Sequence, residues 1–312
     1  MSQRQRLALK RKALEISHLE AWLTQGRGGF HLENIEPLAV MLEHGLRLTG
    51  QLARGQANAL NIRVRPLELA LPNLPLAFDG LRVLFLSDLH IDALPDLGAA
   101  IARAAWPVQA DLCLLGGDYR LRVKGACHNA YHHLGKLLQG LHPPLGVHAV
   151  LGNHDFAEEA EALAEMGVNM LINQAHELRR QGQSLWLVGL DDPHFYGCDD
   201  LASAMAPVPD GACSLLLVHT PELYQEASRA GCTLYLCGHT HAGQIRLPGL
   251  GALITNAACP RHLISGLWRW GEMWGYTSSG AGSSMVPVRF NCPPEVVRLT
   301  LRRGQGPPRW AA

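Results

Sequence analysis

Short apolar segments recur along this chain and restrict its fold more than any other feature. Each is four to six residues long and almost continuously apolar, as in strands buried on both faces of a sheet. Helix-length segments, such as LGAAIARAAW and AEEAEALAEMG, separate several of them, and this alternation predicts an α/β fold. The strand segments are LRVLFL from residue 81, DLCLL from 111, VHAVL from 147, LWLVGL from 185, SLLLV from 214 and LYLC from 234.

Composition limits the possible partners and the compartment. The 312 residues are 47% hydrophobic, so the chain can bury a large core, and 27 basic residues balance 27 acidic ones. That balance gives no reason to expect a nucleic-acid polymer as partner. The eight cysteines form no Cys-x-x-Cys pair, and Cys113 and Cys237 lie inside apolar segments, which is typical of buried free thiols. We therefore expect a cytoplasmic protein.

The first 60 residues lack the short apolar segments and instead have apolar residues at helical spacing. They are predicted to be a helical extension preceding a catalytic domain over residues 61–312. GRGG at 26–29 would separate two helices, and the second would begin near Asn34 and Pro37. No apolar segment is long enough for a signal peptide core or a membrane span. The basic start from Arg4 to Lys12 is either a solvated helix end or a surface for the inner face of an anionic membrane. Helical apolar spacing is carried by Ile16, Leu19 and Leu23, and by Ile35, Leu38, Leu42 and Leu46.

Metal-ligand side chains follow five of the predicted strands. In an α/β sheet the carboxyl ends of the strands form the ligand crevice, and glycine allows the backbone to approach a ligand closely. Each fragment alone is common, but five of them at strand ends in one chain indicate a site. They are Asp88 and His90 in SDLH, Asp118 in GGD, Asn153, His154 and Asp155 in GNHD, His219 in HTP, and His239 and His241 in GHTH.

The mixture of carboxylate and imidazole groups suits manganese, iron or zinc better than magnesium or calcium. A set of this size exceeds one tetrahedral site but would fill two neighbouring sites. Two divalent metal ions can share a bridging carboxylate and activate a water, and they stabilise negative charge on a phosphoryl group. The residues therefore predict a hydrolase of phosphate esters.

The five motifs together resemble those of the calcineurin-like metallophosphoesterases, over roughly residues 75 to 300. The resemblance implies two packed mixed β-sheets flanked by helices, a four-layer sandwich. It implies that Asp88, His90 and His241 hold one metal ion, that Asn153, His219 and His239 hold the other, and that Asp118 bridges them. His154 would assist departure of the leaving group as a catalytic residue, and Asp155 would fix the tautomer of His154.

The segments GHTHAGQIRLPG and SSMVPVRFNCPPEVVRLTL resemble a bacterial branch of that family. The branch contains membrane-associated phosphodiesterases and a UDP-2,3-diacylglucosamine pyrophosphatase of lipid A synthesis. Ala242 stands where the branch usually has glycine, and the membrane span common among these relatives is not evident here. Hydrolysis of UDP-2,3-diacylglucosamine is the specific expectation. A soluble nucleotide phosphodiesterase and an inactive metal-binding scaffold are the alternatives.

The segment HLISGLWRWGEMWGY bears on the substrate. Trp268, Trp270 and Trp274 would either join the core through a hairpin or form an amphipathic lip for an acyl chain. Three arginines of this region are either surface charges or phosphate ligands. They are Arg261, Arg269 and Arg289. Four further histidines lie outside the strand-end pattern and are not expected to be ligands: His128, His132, His133 and His148.

Overall fold

The computed structural model describes residues 1–16, 36–122, 127–252 and 254–310. Within these ranges the first 60 residues are helical, as predicted, in α1 (Gln3–Ile16), α2 (Glu36–Leu48) and α3 (Leu52–Ala59). Leu19, Leu23, Asn34 and the GRGG separator lie outside the described residues. Helix α3 packs tightly on the core, because a Cβ added at Gly55 would lie 2.7 Å from Cβ of Val288. The division of the chain near residue 61 stays a prediction.

The first large sheet has seven strands in the order β15-β1-β14-β2-β3-β4-β5. Strands β2 to β5 run parallel, whereas β14 is antiparallel to β2 and β15 is antiparallel to β1. The strands are β1 (Arg63–Leu71), β2 (Leu81–Leu86), β3 (Leu112–Leu115), β4 (Val147–Ala149), β5 (Asn169–Met170), β14 (Glu295–Arg303) and β15 (Arg309–Trp310).

The second large sheet has six strands in the order β12-β13-β9-β8-β7-β6. Its central strands β7, β8, β9 and β13 are parallel, and antiparallel strands close both edges. The strands are β6 (Gln174–Arg180), β7 (Gln183–Gly189), β8 (Ser214–Leu217), β9 (Leu234–Cys237), β12 (Gly266–Trp270) and β13 (Met273–Thr277). A small separate ribbon joins β10 (Arg246–Leu247) and β11 (Gly251–Ala252).

Alternating side chains of the strands build a core on each face of the sheets. Phe85 and Leu114 of the first sheet pack between the sheets with Leu215 of the second, whereas Leu84 and Leu115 face the outer helices. Because the strands are buried on both faces, their sequences are apolar almost without interruption. The predicted α/β sandwich of two mixed sheets flanked by helices is therefore confirmed.

Helices cover the outer faces of both sheets. α4 (Leu97–Ala105), α5 (His128–Leu138) and α6 (Ala157–Glu165) follow strands of the first sheet. α7 (Leu201–Met205) and α8 (Tyr224–Arg229) lie on the second. Short 3₁₀ turns occupy Leu76–Phe78, Pro221–Leu223, His241–Gly243 and Arg261–Leu263. The eight cysteines are free, and none of the described helices has the length and apolar character needed to cross a bilayer.

Candidate metal centre

The predicted ligand residues lie in loops that follow β2, β3, β4, β8 and β9. Several adopt left-handed backbone conformations, which cost energy for non-glycine residues and are concentrated at functional sites. These residues are Asp88, His90, Asp118, His239 and His241, and Ala242 is left-handed as well. Two glycines allow close approach: a Cβ on Gly238 would lie 2.0 Å from Asp88 Oδ2, and one on Gly152 would lie 2.2 Å from Asp118 Oδ1. The loops therefore converge only because these positions lack side chains.

Asp88, His90 and His241 form the first half of the site and are buried. His90 Nε2 lies 3.2 Å from His241 Nε2, and His241 Nε2 lies 3.6 Å from Asp88 Oδ1. His90 Nδ1 pairs with the carbonyl oxygen of Arg120 at 2.8 Å. A ring that donates through Nδ1 presents the lone pair of Nε2 to the shared space.

Asn153, His219 and His239 form the second half. Asn153 Oδ1 lies 3.0 Å from His219 Nε2 and 2.9 Å from His239 Nδ1. The other ring nitrogens are held by carbonyl oxygens: His219 Nδ1 by Gly116 at 2.8 Å, and His239 Nε2 by Asn256 at 2.7 Å. These contacts fix the orientation of both imidazoles, with His219 Nε2 and His239 Nδ1 facing the asparagine oxygen.

Asp118 lies between the two halves. Its Oδ2 is 3.2 Å from His219 Nε2 of the second half and 3.6 Å from His90 Nε2 of the first. Its Oδ1 accepts a hydrogen bond from the His154 backbone N–H at 2.9 Å. One carboxylate thus faces ligands of both halves, which is the position that a bridging ligand requires.

The charges and pKa shifts of the site favour the binding of a cation. Burial raises the pKa of Asp88 to about 6, although nearby His219 acts in the opposite direction. Burial alone would raise the pKa of Asp118 as well, but His219 and His154 hold it well below its usual range. Burial and His154 lower the pKa of His90 to about 3. The first half therefore offers neutral imidazole beside carboxylate, the combination that binds transition metals.

Two buried polar atoms test whether a metal ion fits. Asp88 Oδ2 and Asn153 Nδ2 have no hydrogen-bond partner among the described residues, although buried polar groups are nearly always paired. The unpaired carboxylate oxygen lies in the first half and can bind a cation, whereas in the second half the atom that can do so is Asn153 Oδ1, because the amide nitrogen is only a donor. Together with the clustered lone pairs, this set fits one divalent metal ion in each half, with Asp118 shared. The identity of the metal remains a prediction.

His154 lies at the edge of the same space. Its Nε2 is 3.9 Å from Asp118 Oδ2, and its ring packs edge-on against His90 with the centroids 4.8 Å apart. His90, Asp118 and His154 are also close enough together to hold an ion. The distances alone therefore permit a ligand role, and the non-ligand role of His154 stays a prediction.

The predicted role of Asp155 is wrong. His154 Nδ1 pairs with the carbonyl oxygen of Leu121 at 2.6 Å, so that carbonyl fixes the tautomer. The Asp155 carboxylate instead accepts backbone N–H groups of Gly152 at 2.8 Å, Asp118 at 2.7 Å and Tyr119 at 2.8 Å. Asp155 therefore ties the loop after β4 to the loop after β3, because the turn directs its side chain under the backbone.

Arg289 is neither a surface charge nor a phosphate ligand. It is buried, and its Nη1 donates to the carbonyl oxygen of His241 at 3.0 Å. Its Nη2 lies 3.0 Å from His241 Nδ1 and donates to the carbonyl oxygen of Ser279 at 2.7 Å. Arg289 therefore supports the ring and the backbone of a ligand from behind. Arg261 and Arg269 are exposed.

His194 was not predicted. It follows β7 in the sequence DDPH, a sixth strand-end cluster of the kind from which the metal ligands were predicted. Its buried ring packs against His239 with the centroids 4.2 Å apart, and its Nδ1 lies 2.9 Å from Glu222 Oε1. His194 therefore backs the second half of the site through His239.

The three tryptophans belong to the hairpin of β12 and β13 and pack on the core. They do not form an exposed amphipathic surface. Trp268 is buried, and its indole N–H donates to Thr277 Oγ1 at 2.9 Å. Trp270 and Trp274 are half-buried against the core. The basic start of α1 is likewise not uniformly solvated, because Arg11 is buried against the loop that carries Asn153 and His154.

A two-sheet sandwich with clustered His, Asp and Asn side chains at its strand ends has the architecture of a metal-dependent hydrolase. The family model described as calcineurin-like phosphoesterase matches residues 81–243, and the chain belongs to that family. It is a metal-dependent phosphohydrolase.

Two bacterial relatives extend this similarity. The chain is 32% identical over 229 residues to phosphodiesterase YaeI of Escherichia coli, covering 70% of this chain and 82% of that protein. It is 29% identical over 240 residues to the uncharacterized metallophosphoesterase YkuE of Bacillus subtilis, covering 73% of this chain and 82% of that protein. Among solved structures it is similar to TT1561 of Thermus thermophilus, with a TM-score of 0.44, 14% identity, and coverage of 65% of this chain and 90% of that one.

Proposed function

We propose that this protein hydrolyses a phosphodiester or pyrophosphate bond by attack of water on phosphorus. The arrangement of six further ligand side chains around Asp118 carries the proposal. The similarity to phosphodiesterase YaeI supports a diester over a monoester. The metal pair, when bound, supplies a nucleophilic hydroxide near neutral pH and neutralises charge on the phosphoryl oxygens.

The residues of the chain contribute orientation and a proton. The carbonyl of Leu121 keeps the proton of His154 on Nδ1 when the ring is neutral. His154 Nε2 is then free to carry a second proton and donate it to the leaving oxygen. The buried walls exclude bulk water from the loops, which strengthens each charge interaction there.

A cavity beside the site supports a substrate with a group beyond the phosphate. It has a volume of about 440 Å³, and its lining includes Ala242, directly after predicted ligand His241, together with Arg246 and Arg65, of which Arg65 is paired with Glu295 of the same lining at 3.4 Å. Tyr276 and Trp310 add aromatic surface. Arginine and aromatic rings suit an anionic ligand with a planar or apolar part.

A substrate comparison tests the proposal. The manganese-loaded protein should hydrolyse bis-p-nitrophenyl phosphate faster than p-nitrophenyl phosphate, and Arg246→Gln should reduce the rate with a nucleotide diester more than with the small diester. Asp210→Asn, at an exposed position, serves as control. A faster rate with the monoester would contradict the diester proposal.

A lipid-linked nucleotide, UDP-2,3-diacylglucosamine, is a second candidate. Its support is the apolar surface of α2, where Val40, Met41 and Leu48 are each more than half exposed. Peripheral contact with an anionic membrane would bring such a substrate to the site. The burial of Arg11 and Trp268 removes two groups that the sequence assigned to this contact.

Flotation with anionic liposomes tests this second candidate. The protein should float, and a variant with Met41→Glu and Leu48→Glu should not. Leu76→Glu is the matched control, since Leu76 is also exposed but lies just before β2, away from the ligand loops. Absence of flotation, together with no hydrolysis of the acylated nucleotide, would exclude this candidate. A soluble nucleotide diester would then be the remaining candidate substrate.

A further inference from the structure

Helix α1 inserts an arginine beneath the active-site loop that follows β4. The Arg11 side chain is only 2% exposed, and its Nη2 donates to the carbonyl oxygens of Gly152 at 3.0 Å and Asp155 at 2.7 Å. These two residues are the first and last of the GNHD motif, and between them lie Asn153 and His154. Arg11 therefore closes both ends of the segment that carries one metal ligand and the proposed acid.

The same guanidinium reaches a second loop. Its Nη1 forms an ion pair with Asp191, which follows β7, and its Cζ lies 4.2 Å from the ring centroid of Tyr196. That loop also carries His194, whose ring packs on the ligand His239. One buried cation thus joins the two loops that flank the second half of the metal site.

Other contacts of α1 hold the arginine in place. Glu15 accepts a hydrogen bond from the Ala157 backbone N–H at 2.8 Å and pairs with Arg11 Nε at 3.0 Å. Lys10 Nζ donates to the carbonyl oxygen of Gly197 at 2.8 Å, and Leu14 is buried with Phe195. A buried charge is costly unless it is paired and hydrogen-bonded, and here every contact of the guanidinium falls on a loop of the site, on Glu15 or on an aromatic ring.

We propose that Arg11 is a positioning residue for the second half of the metal centre, so that α1 belongs to the active-site framework. Arg11 touches neither substrate nor metal in this account. It fixes the carbonyl groups on either side of Asn153 and His154, and through Asp191 the loop behind His239. The proposal goes beyond the proposed function, and its metal-binding readout does not depend on which ester is hydrolysed.

Arg11→Met tests the proposal, with Lys12→Met as matched control. Lys12 is the next residue of the helix and is 57% exposed, in a loose 3.9 Å pair with Glu161. Removing a group that orients metal ligands typically costs about 10- to 100-fold in affinity or activity. We expect Arg11→Met to lower kcat by that factor with KM little changed, and to weaken binding of one of two Mn²⁺ ions in calorimetric titration. Lys12→Met should match the wild type.

Two further variants keep the test decisive. If Arg11→Met fails to fold because Asp191 is left without its cation, the double variant Arg11→Met/Asp191→Asn removes that buried charge and should show the same losses. Arg11→Lys keeps the charge opposite Asp191 but has no planar fork for two carbonyls, so its kcat should be intermediate. A folded variant with a lowered Tm but wild-type kcat and wild-type affinity for both Mn²⁺ ions would overturn the proposal and reduce Arg11 to a stabilising contact.

Discussion

The two halves of the metal centre are each backed by a buried arginine, but in different ways. Arg289 contacts the ring of a ligand directly, through the 3.0 Å approach of Nη2 to His241 Nδ1. Arg11 contacts no predicted ligand side chain, and it reaches the segment that carries Asn153 through the backbone carbonyls at its two ends. The first half is thus supported at a ligand side chain and the second half through its loop.

The two supporting arginines come from distant parts of the chain. Arg289 reaches His241 across 48 positions from the segment between β13 and β14. Arg11 reaches Gly152 across 141 positions from helix α1, which precedes the first strand of the chain. We therefore expect loss of Arg289 to affect a predicted metal ligand directly. Loss of Arg11 should displace both Asn153 and the proposed acid His154, because they share one loop.

Asp118→Asn should have the largest effect, because it removes the charge shared by both halves. Asparagine keeps the size of the side chain but cannot neutralise two cations. We expect turnover to fall below detection, and the affinity for both metal ions to fall. Activity assays beside metal analysis after gel filtration measure this. Wild-type metal content and rate would contradict the bridging role, and would remove the link on which the comparison of the halves rests.

His154→Ala should separate proton transfer from metal binding. Loss of a general acid typically costs about 10²- to 10⁴-fold in rate. We expect such a loss with both metal ions retained, and a smaller loss for diesters with good leaving groups. His132→Ala, an exposed histidine outside the site, is the control. Loss of one metal ion would instead make His154 a ligand, as its proximity to Asp118 and His90 allows.

Arg289→Met should have a smaller effect, confined to the first half. Loss of a group behind a ligand histidine weakens metal binding by about 10-fold or somewhat more. We expect weaker binding of one Mn²⁺ ion while the other binds normally. Arg269→Met, at a half-exposed surface pair with Glu272, should be neutral. An equal loss of affinity for both Mn²⁺ ions would show that the two halves are not supported independently.

The sequence predicted the central strands and the convergence of the ligands for one physical reason. Doubly buried strands must be continuously apolar, and the parallel strands of such a sandwich end at a common edge. Residues after LRVLFL and after LYLC are therefore neighbours in space although 151 positions separate Asp88 from His239. Strands β1, β6 and β14 carry charged residues such as Arg65 and Glu177, so the apolar pattern did not reveal them.

The supporting residues could not be predicted in this way. Arg11 lies in a strongly basic helix, where a solvated charge is the ordinary expectation, and only the folded chain shows Asp191 opposite it. Asp155 follows His154 directly, which made it the natural partner of the ring. The local turn instead directs its carboxylate to three backbone N–H groups. Side-chain direction depends on backbone conformation, which residue order alone does not fix.

The metal stoichiometry of the wild type and of one variant from each half tests the dinuclear centre most directly. Manganese-loaded protein, freed of excess metal by gel filtration, should contain two ions per chain. His241→Ala and His219→Ala should each retain about one, since each removes a ligand of a single half while Asp118 still serves the other. One ion per wild-type chain, or two in either variant, would contradict the account.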